Sequence, residues 1–587
     1  MYKTKLRTHT CGELNMGNIG EDIILTGWVK RKRDHGEIVF IDLRDRYGIT
    51  QIIIEEHQKI LKERLRDVRS EYVIQVFGTV RKRPEEMMNK NMSTGTIEVV
   101  AKNVSILNKS EVPPFEIKNN INIQEDLKLK YRYLDLRRDE LKNNIIIRHK
   151  TIQSIREFLS SNDFLEIETP VLTRNTPEGA RDYLVPSRIH KGKFYSMAQS
   201  PQLYKQLLMI AGFDRYYQIA RCFRDEDMRS DRQPEFTQID IEMSFVDEED
   251  IFIMTERLMR KVFKDVIGIE LEIPFERLTY KTAMESYGTD KPDLRFGCKI
   301  KDITSIVKNT EFKVFLQSEY TFGYNVGENL SRKQVESYNL IAKKYGLPGV
   351  FNAKLENGEL KGSFVKYLTQ ENIRSVTDVF SMKNNDTILI ASGGWKRTLE
   401  GLGACRKQTG LDYYDKDNND FIFLWVTNYP LFEWNGDGNK WEPCHHIFTM
   451  PRDEDVEYID KDPGRVHGKL YDLICNGIEI SSGSIRAFRK DIQEKIMNVI
   501  GLGKEDAEKR FGFLIEGLKY GAPPHGGIAP GLDRLIMIML GKDNIRDVIA
   551  FPKSLQASGI MEESPSCIEV DRLKDLGLKI IDEKKDS

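Results

Sequence analysis

Arg221-Cys222-Phe223-Arg224-Asp225-Glu226, running on to Arg232-Gln233-Pro234-Glu235-Phe236, lies between two apolar stretches, Arg215 to Ala220 and Phe236 to Phe245. Apolar runs of this length around a charged connection predict two antiparallel strands joined by a polar loop. Such a loop can wrap a charged ligand. A second stretch, Gly526-Gly527-Ile528-Ala529-Pro530-Gly531-Leu532-Asp533-Arg534, sets three glycines ahead of the apolar run Leu532 to Leu540. Glycine permits close backbone approach, and the run behind it predicts a helix whose start favours a phosphate. Each stretch therefore holds an arginine where a nucleotide phosphate can lie. Taken alone, an Arg-Asp-Glu cluster is more often a solvated turn.

A third segment precedes both: Phe164-Leu165-Glu166-Ile167-Glu168-Thr169-Pro170-Val171-Leu172, expected as an amphipathic helix leading into a proline-marked strand. In this order the three segments resemble the signature motifs of class II aminoacyl-tRNA synthetases. One departure is Asn162-Asp163, where the first motif usually has glycine; it leaves the tightness of one turn open. No Gly-x-x-x-x-Gly-Lys-Ser/Thr loop occurs, nor the His-Ile-Gly-His and Lys-Met-Ser-Lys-Ser signatures of class I synthetases, so the ATP site narrows to the arginine motifs.

The 587 residues exceed one core, and three or four domains are expected. With 31% charged and 40% hydrophobic residues the composition is that of a globular protein. A formal net charge of −2 excludes a globally basic nucleic-acid binder, so any such site must be a local patch. Seven scattered cysteines without a Cys-x-x-Cys pair argue for reduced thiols and against zinc. No stretch approaches a membrane span and the start lacks a signal-peptide core, which predicts a cytoplasmic protein.

The expected fold class is α+β and multidomain. Within residues 1–110, five strands (Asp22 to Lys30, Ile38 to Asp42, Thr50 to Ile54, Tyr72 to Val80, Thr96 to Leu107) and a helical piece, His57 to Arg69, match an OB-fold β-barrel. Its basic run Lys30-Arg31-Lys32-Arg33 beside Phe40, with Arg81-Lys82-Arg83 later, suits phosphate contacts and base stacking. A proline-bearing hinge spans 111–143. Its basic run, Lys128 to Arg138, reads equally as a solvated face or an RNA contact. A long helix, Asn144 to Ser160, opens the catalytic domain, whose first part (144–290) carries the first two motifs. An inserted α+β domain follows (291–420), and 421–587 holds the second catalytic part, motif 3 and a C-terminal extension.

Substrate chemistry enters with the aspartyl branch. Gln199-Ser200-Pro201-Gln202-Leu203-Tyr204-Lys205, Glu479 to Arg486 and Thr176-Pro177-Glu178-Gly179 resemble that branch, and Gly27 to Gln51 resembles the anticodon-binding domain of aspartyl-tRNA synthetases. The resemblance implies that Arg224 holds the α-phosphate and carboxylate, Arg534 the γ-phosphate, and Glu226 and Gln233 adenine and ribose, with Asp225, Gly531, Leu532 and Asp533 in the ATP site. Arg224, Arg534 and Glu479 are the implied catalytic residues. Asp472 and Glu479, on a strand-like segment with a turn between them, offer hard oxygen ligands for Mg2+. Lys205 and Arg486 would clamp the aspartate side chain, Ser200, Gln202 and Asp240 the amino group, with Glu178 and His445 also facing the amino acid. A buried cation pair rejects neutral asparagine, since an uncompensated buried charge costs about 3 to 5 kcal/mol. At the anticodon, Phe40 would stack on the central base, Gln51 would read its edge, and Arg33 and His35 complete the set.

The expectation is a homodimeric aspartate–tRNA ligase of bacterial type, using ATP and Mg2+ to charge tRNA(Asp) and, through His35, also tRNA(Asn), without membrane association. The alternatives are an asparaginyl enzyme, whose pocket has no use for both Lys205 and Arg486, and a non-catalytic RNA-binding paralogue; a lysyl enzyme would need an acidic pocket.

Overall fold

The computed structural model describes residues 4–175, 180–414 and 420–581. The chain divides into two compact units, Met1–Asn143 and Asn144–Ser587.

In the first unit five strands close a barrel in the order Asp22–Asp34, Val39–Arg44, Ile49–Ile54, Ile97–Asn108, Val73–Lys82. Alternation explains it: Ile23, Leu25 and Val29 point inward from the first strand and meet Ile41, Leu43, Ile52 and Val99. The first strand is longer than expected, because Arg33 pairs with Phe40 and Asp34 with Val39. The basic run thus lies on the sheet rather than in a loop. The helix is shorter than expected, Lys59–Leu65, and buries Leu61 and Leu65. In the run Lys128 to Arg138 the three arginines are paired within the unit, while Lys130 is exposed. Arg132 and Arg138 donate to the fully buried Asp135 at 2.8 and 2.6 Å, and Arg137 pairs with Glu71 at 2.7 Å.

The second unit is built on an eight-stranded sheet, edge to edge Glu276–Thr279, Phe423–Thr427, Leu470–Cys475, Ile478–Ile485, His525–Ile528, Glu235–Ser244, Arg215–Phe223, Leu165–Glu166. The six inner strands are antiparallel, and only the two edge strands pair in parallel. The helix Glu248–Ile267 starts at an Asp247 capping box and ends at Gly268 with φ +74°. Its Ile251, Phe252, Leu258 and Phe263 pack on the sheet, where the Phe252 ring lies 4.4 Å from that of Trp425.

The long helix runs over Asp139–Ser161. Asp163 then takes φ +63° and the Phe164 amide donates to Leu159 at 3.0 Å. Aspartate tolerates the left-handed conformation, so it closes the helix where glycine is usual. The segment from Phe164 is not helical: Leu165–Glu166 is an edge strand beside Tyr216 and Tyr217, and Leu172–Thr173 a short strand of a separate three-stranded sheet. The strands predicted around the charged loop form one hairpin, with Ala220 opposite Gln238.

Between the two parts of this sheet the chain builds a second sheet of five strands, Lys301–Asp302, Tyr320–Asn325, Thr387–Gly393, Phe351–Glu356, Glu359–Gly362. Successive residues of its central strand face opposite ways: Leu389 and Ala391 join Tyr324, Tyr338 and Leu402, while Ile388 and Ile390 join Phe315, Phe364 and Val376. Entry into this domain is pinned by Arg406, buried on the Trp395–Tyr413 helix. Its guanidinium donates to the carbonyls of Asp293, Phe296, Gly297 and Cys298 at 2.9 to 3.0 Å. Arg406→Met leaves these acceptors unpaired. We expect it to cost about 3 kcal/mol, given roughly 1 to 3 kcal/mol for each buried group left unsatisfied, read as a lowered Tm; an unchanged calorimetric trace would show that water replaces the guanidinium.

Candidate functional site

A cavity of about 720 Å³ opens on the Glu235–Ser244 and Ile478–Ile485 strands and the start of the Leu532–Met539 helix. That is the size of a small-molecule site. Its lining includes Ser200, Gln202, Lys205, Arg224, Glu226, Gln233, Asp240, His445, Glu479, Arg486, Gly531, Asp533 and Arg534. Residues more than 300 positions apart in sequence thus meet at one place.

One end is a buried quartet of charge. Lys205, on the Gln202–Ile210 helix, donates to Asp240 at 2.6 Å and lies 3.4 Å from Glu242. Arg486 holds Glu242 through both Nε and Nη2, at 2.8 and 3.1 Å. All four side chains are at most 2% exposed. Burial alone would push the Glu242 carboxyl up, but Arg486 and Lys205 outweigh it and hold it below the usual carboxylate range. Asp240 Oδ2 and Gln202 Nε2 are buried without hydrogen-bond partners, leaving an acceptor and a donor for a ligand. Ser200 stands beside them in the lining. Glu242 was missed by sequence reasoning, although it alternates with Asp240 along the same strand. The register brings it to Gly527, where a Cβ would lie 2.0 Å from Glu242 Oε2 and 2.1 Å from the Ile241 carbonyl.

His446 was missed too. His445, the residue singled out from sequence, is exposed in the lining and packs edge-on against Tyr429 at 4.9 Å. Its neighbour reaches the clamp. The His446 ring nitrogens face two donors, the Arg486 guanidinium at 3.0 Å and the Phe448 amide at 3.2 Å. A charged ring only donates and has no place there, so burial, Arg486, His445 and Lys205 together hold its pKa well below the ordinary value. Glu178 lies outside the described residues.

At the other end Arg224 lies over the Phe236 ring at 5.1 Å; its Nε is buried without a hydrogen-bond partner and the side chain pairs with no carboxylate among the described residues. Glu226 pairs with Arg232 at 2.9 Å, and Gln233 is tied to the Lys553 backbone at 2.7 and 3.1 Å. Arg534 donates to the Glu479 carbonyl at 2.8 Å and meets Asp231 at 3.2 Å. Two residues expected in the ATP site do not line the cavity, and a third lines it with its carboxylate already engaged. Asp225 is exposed outside the cavity lining, its amide bound to the Arg181 carbonyl. Leu532 is fully buried in the core. Asp533 has both oxygens engaged, by Arg148 and by the Thr237 amide at 2.7 Å, so it fastens the long helix to the sheet.

Asp472 and Glu479 stand on neighbouring strands across the Asn476-Gly477 turn, where register shifts near Leu473 and Ile474. Asp472 is fully buried; Oδ2 accepts from Tyr429 at 3.0 Å, Oδ1 has no partner of hydrogen-bond geometry among the described residues, and burial pushes the carboxyl up to about 6 against the opposing pull of His445, Ser482 and Tyr429. Glu479 is paired with Lys291 at 2.7 Å, which outweighs burial and lowers its pKa. An orphaned carboxylate oxygen beside a second carboxylate suits a hard divalent cation.

In the barrel, Arg33 donates to Asp42 at 2.8 Å and to Gln51 at 3.2 Å, and stacks over Phe40 at 5.7 Å. His35 meets Phe40 edge-on at 5.9 Å. Gln51 is nearly buried, and its amide nitrogen donates to Glu98 at 3.0 Å. Glu98, missed from sequence, therefore fixes which end of the amide points where, while Arg81 neutralises it at 2.7 Å.

Residues 124–555 match the family described as tRNA synthetases class II (D, K and N), and 23–107 match the OB-fold nucleic acid binding domain. An aspartate–tRNA(Asp/Asn) ligase of Caldanaerobacter subterraneus is 49% identical over 98% of this chain and 98% of its own. The chain belongs to the aspartate–tRNA ligase family of class II synthetases. An aspartate–tRNA ligase of Halalkalibacterium halodurans is 46% identical over 99% of both chains. The asparaginyl-tRNA synthetase of Pyrococcus horikoshii, solved with asparaginyl-adenylate, shares the fold with a TM-score of 0.59 at 18% identity, covering 93% of this chain and 98% of that one. The expected fold class and family membership are borne out.

Two outcomes follow for this enzyme. Gly527→Ala displaces Glu242 and is expected to weaken aspartate binding at least tenfold, about 1.4 kcal/mol, by calorimetry; wild-type affinity would mean the strands yield freely. The depressed His446 pKa works on stability as acid is added: below about 6.5 the unfolded chain takes up a proton that the folded ring refuses. Stability is full above that pH and lost as pH falls, and His446→Gln should flatten the slope between about pH 6.5 and 5.

Proposed function

We propose that this enzyme activates L-aspartate with ATP and passes the aspartyl group to tRNA(Asp) and to tRNA(Asn). The buried quartet carries the reading: two cations offset by two carboxylates leave a site that gains from one more anion and one ammonium, the two ends of an aspartate. The side-chain carboxylate meets Lys205 and Arg486, and Asp240 takes the amino group. The aspartate α-carboxylate then attacks the α-phosphorus of ATP, breaking the bond to the β-phosphoryl group so that pyrophosphate leaves. A terminal hydroxyl of tRNA attacks the carbonyl carbon of the adenylate, and AMP departs. Little covalent work falls to the protein; Arg224, whose guanidinium pairs with no carboxylate among the described residues, aligns the reacting carboxylate and phosphate, and Arg534 holds the far phosphate.

Asp472 and Glu479 would hold Mg2+, which supplies charge neutralisation to the phosphates when bound. Arg33, His35, Phe40 and Gln51 would form the anticodon contact, with the hydrogen-bonded Gln51 presenting a fixed edge. Charging of tRNA(Asn) is carried by His35 and accords with the relatives named for both tRNAs. The relatives named as aspartate ligases weigh against the alternative asparaginyl reading, and Arg224 and the Asp472 oxygen, without partners among the described residues, speak against a non-catalytic paralogue.

We assign the chain an anticodon-binding domain over 1–110, a hinge over 111–143, a catalytic domain over 144–290 and 421–587, and an insert over 291–420. The enzyme acts in the cytoplasm; no helix among the described residues is long and apolar enough to cross a membrane. Leu165, Leu172 and Leu184, each roughly half exposed around the first motif, would be covered by a second copy in a homodimer.

The deciding measurement is charging of purified tRNA(Asp) and tRNA(Asn): both should accept aspartate, and strict preference for the former sinks dual charging alone. In pyrophosphate exchange, Arg486→Leu should raise the aspartate KM by a hundredfold or more, about 3 kcal/mol, and Arg534→Ala should lower exchange by at least tenfold, about 1.4 kcal/mol. Wild-type exchange in Arg534→Ala would remove the nucleotide assignment.

A further inference from the structure

Lys291 belongs to none of the motifs, yet it lines the cavity and gives its ammonium to Glu479. It sits on the strap from Gly288 to Cys298 that leaves the catalytic sheet for the inserted domain. This strap is held from both sides. On the insert side Gly288 and Gly403 touch so closely that a Cβ on Gly403 would lie 2.2 Å from the Gly288 carbonyl, and Arg406 gathers four carbonyls of the strap. On the catalytic side Gly477, in the turn between Asp472 and Glu479, abuts Asp293, with a Cβ there only 3.0 Å from the Asp293 side chain. Pro292 limits the backbone next to Lys291. The ammonium is therefore delivered to one place.

That place is on the phosphate side of the cavity, shared with Arg224, Arg229, Arg534 and, from the insert's helix, Lys407. Lys407 makes no ion pair among the described residues. The pair lies at the cavity wall rather than in the core, with 39% and 27% of the two side chains exposed, and a partly exposed ion pair contributes little to stability, generally under about 1 kcal/mol. The partner of Lys291 is moreover a carboxylate that the cation chemistry of the site calls upon, next to the orphaned oxygen of Asp472. When Glu479 is so engaged, Lys291 needs another anion within reach of a side chain whose backbone is fixed, and the polyphosphate of ATP is the anion this cavity is built to take.

We propose that Lys291 is an ATP-binding residue: it pairs with Glu479 in the nucleotide-free enzyme and contacts the polyphosphate when ATP is bound. This rests on the nucleotide assignment given to Arg224 and Arg534. It also gives the inserted domain a part in the active site, because the strap that aims Lys291 is clamped by that domain's own helix.

The test is isothermal titration of the full-length enzyme with ATP in excess MgCl2, and separately with L-aspartate, for wild type, Lys291→Met, Lys291→Arg and Arg534→Ala. Expected for Lys291→Met is an ATP Kd raised about 10- to 100-fold, the range for losing one charge-assisted hydrogen bond. Its aspartate Kd should stay within about twofold and its Tm should match wild type, while Lys291→Arg recovers most of the ATP affinity. If Lys291→Met binds ATP like wild type while Arg534→Ala does not, the role of Lys291 is overturned and the nucleotide site stands. If neither variant weakens ATP, the nucleotide assignment itself falls. If Lys291→Met loses ATP and aspartate affinity together with a lowered Tm, the ion pair is structural and the proposal fails.

Discussion

Four buried charges at the floor of the cavity set the terms for everything around them. Lys205, Asp240, Glu242 and Arg486 sum to zero, and each is held by at least one opposite partner. Such a group has no net reward from burial: the desolvation of ions in a protein interior offsets much of their attraction, and breaking the group by removing one member costs about 3 to 5 kcal/mol. It persists where rigid surroundings hold the geometry. The six antiparallel strands supply that rigidity, with Gly527 leaving room for Glu242 and His446 kept neutral against Arg486. The electrostatics of this end of the cavity are therefore set before any ligand arrives.

The other end of the cavity differs in holding groups that are incompletely satisfied among the described residues. Arg224 Nε and Asp472 Oδ1 are buried without partners, which a fold would not maintain for stability. They leave hydrogen-bonding capacity open to a ligand. Neighbouring polar groups that are satisfied, such as Asp533 between Arg148 and Thr237, serve the scaffold instead. Residues that sequence motifs list together thus part company: in the Gly531-Leu532-Asp533-Arg534 run, Leu532 builds the core, Asp533 ties the long helix to the sheet at the cavity wall, and Arg534 faces the cavity.

Much of the fold was legible in the chain. The run of five short strands with one helical piece announced the barrel, and apolar runs around a charged loop announced the central hairpin. Errors cluster where pairing or capping decides. The first strand runs on to Asp34 because it finds partners in Val39 and Phe40, and the first motif is extended because Asp163 ends the helix before it. Among site residues, Lys205, Arg224, Asp240, Glu479, Arg486 and Arg534 were identifiable from their motifs and come together in one cavity. Glu242, His446, Glu98 and Lys291 were not, since each acts through a partner distant in sequence.

By itself the sequence determined the residue types and their order: which strands alternate, where arginines and glycines punctuate them, and which cations and carboxylates are available to bind an amino acid and a nucleotide. Tertiary structure alone decided how those charges are distributed between scaffold and ligand. Whether an arginine is neutralised within the protein or left for a phosphate depends on distances of a few ångström between elements hundreds of residues apart, and electrostatic and hydrogen-bond energies turn on those distances and on burial. Residue type carries neither.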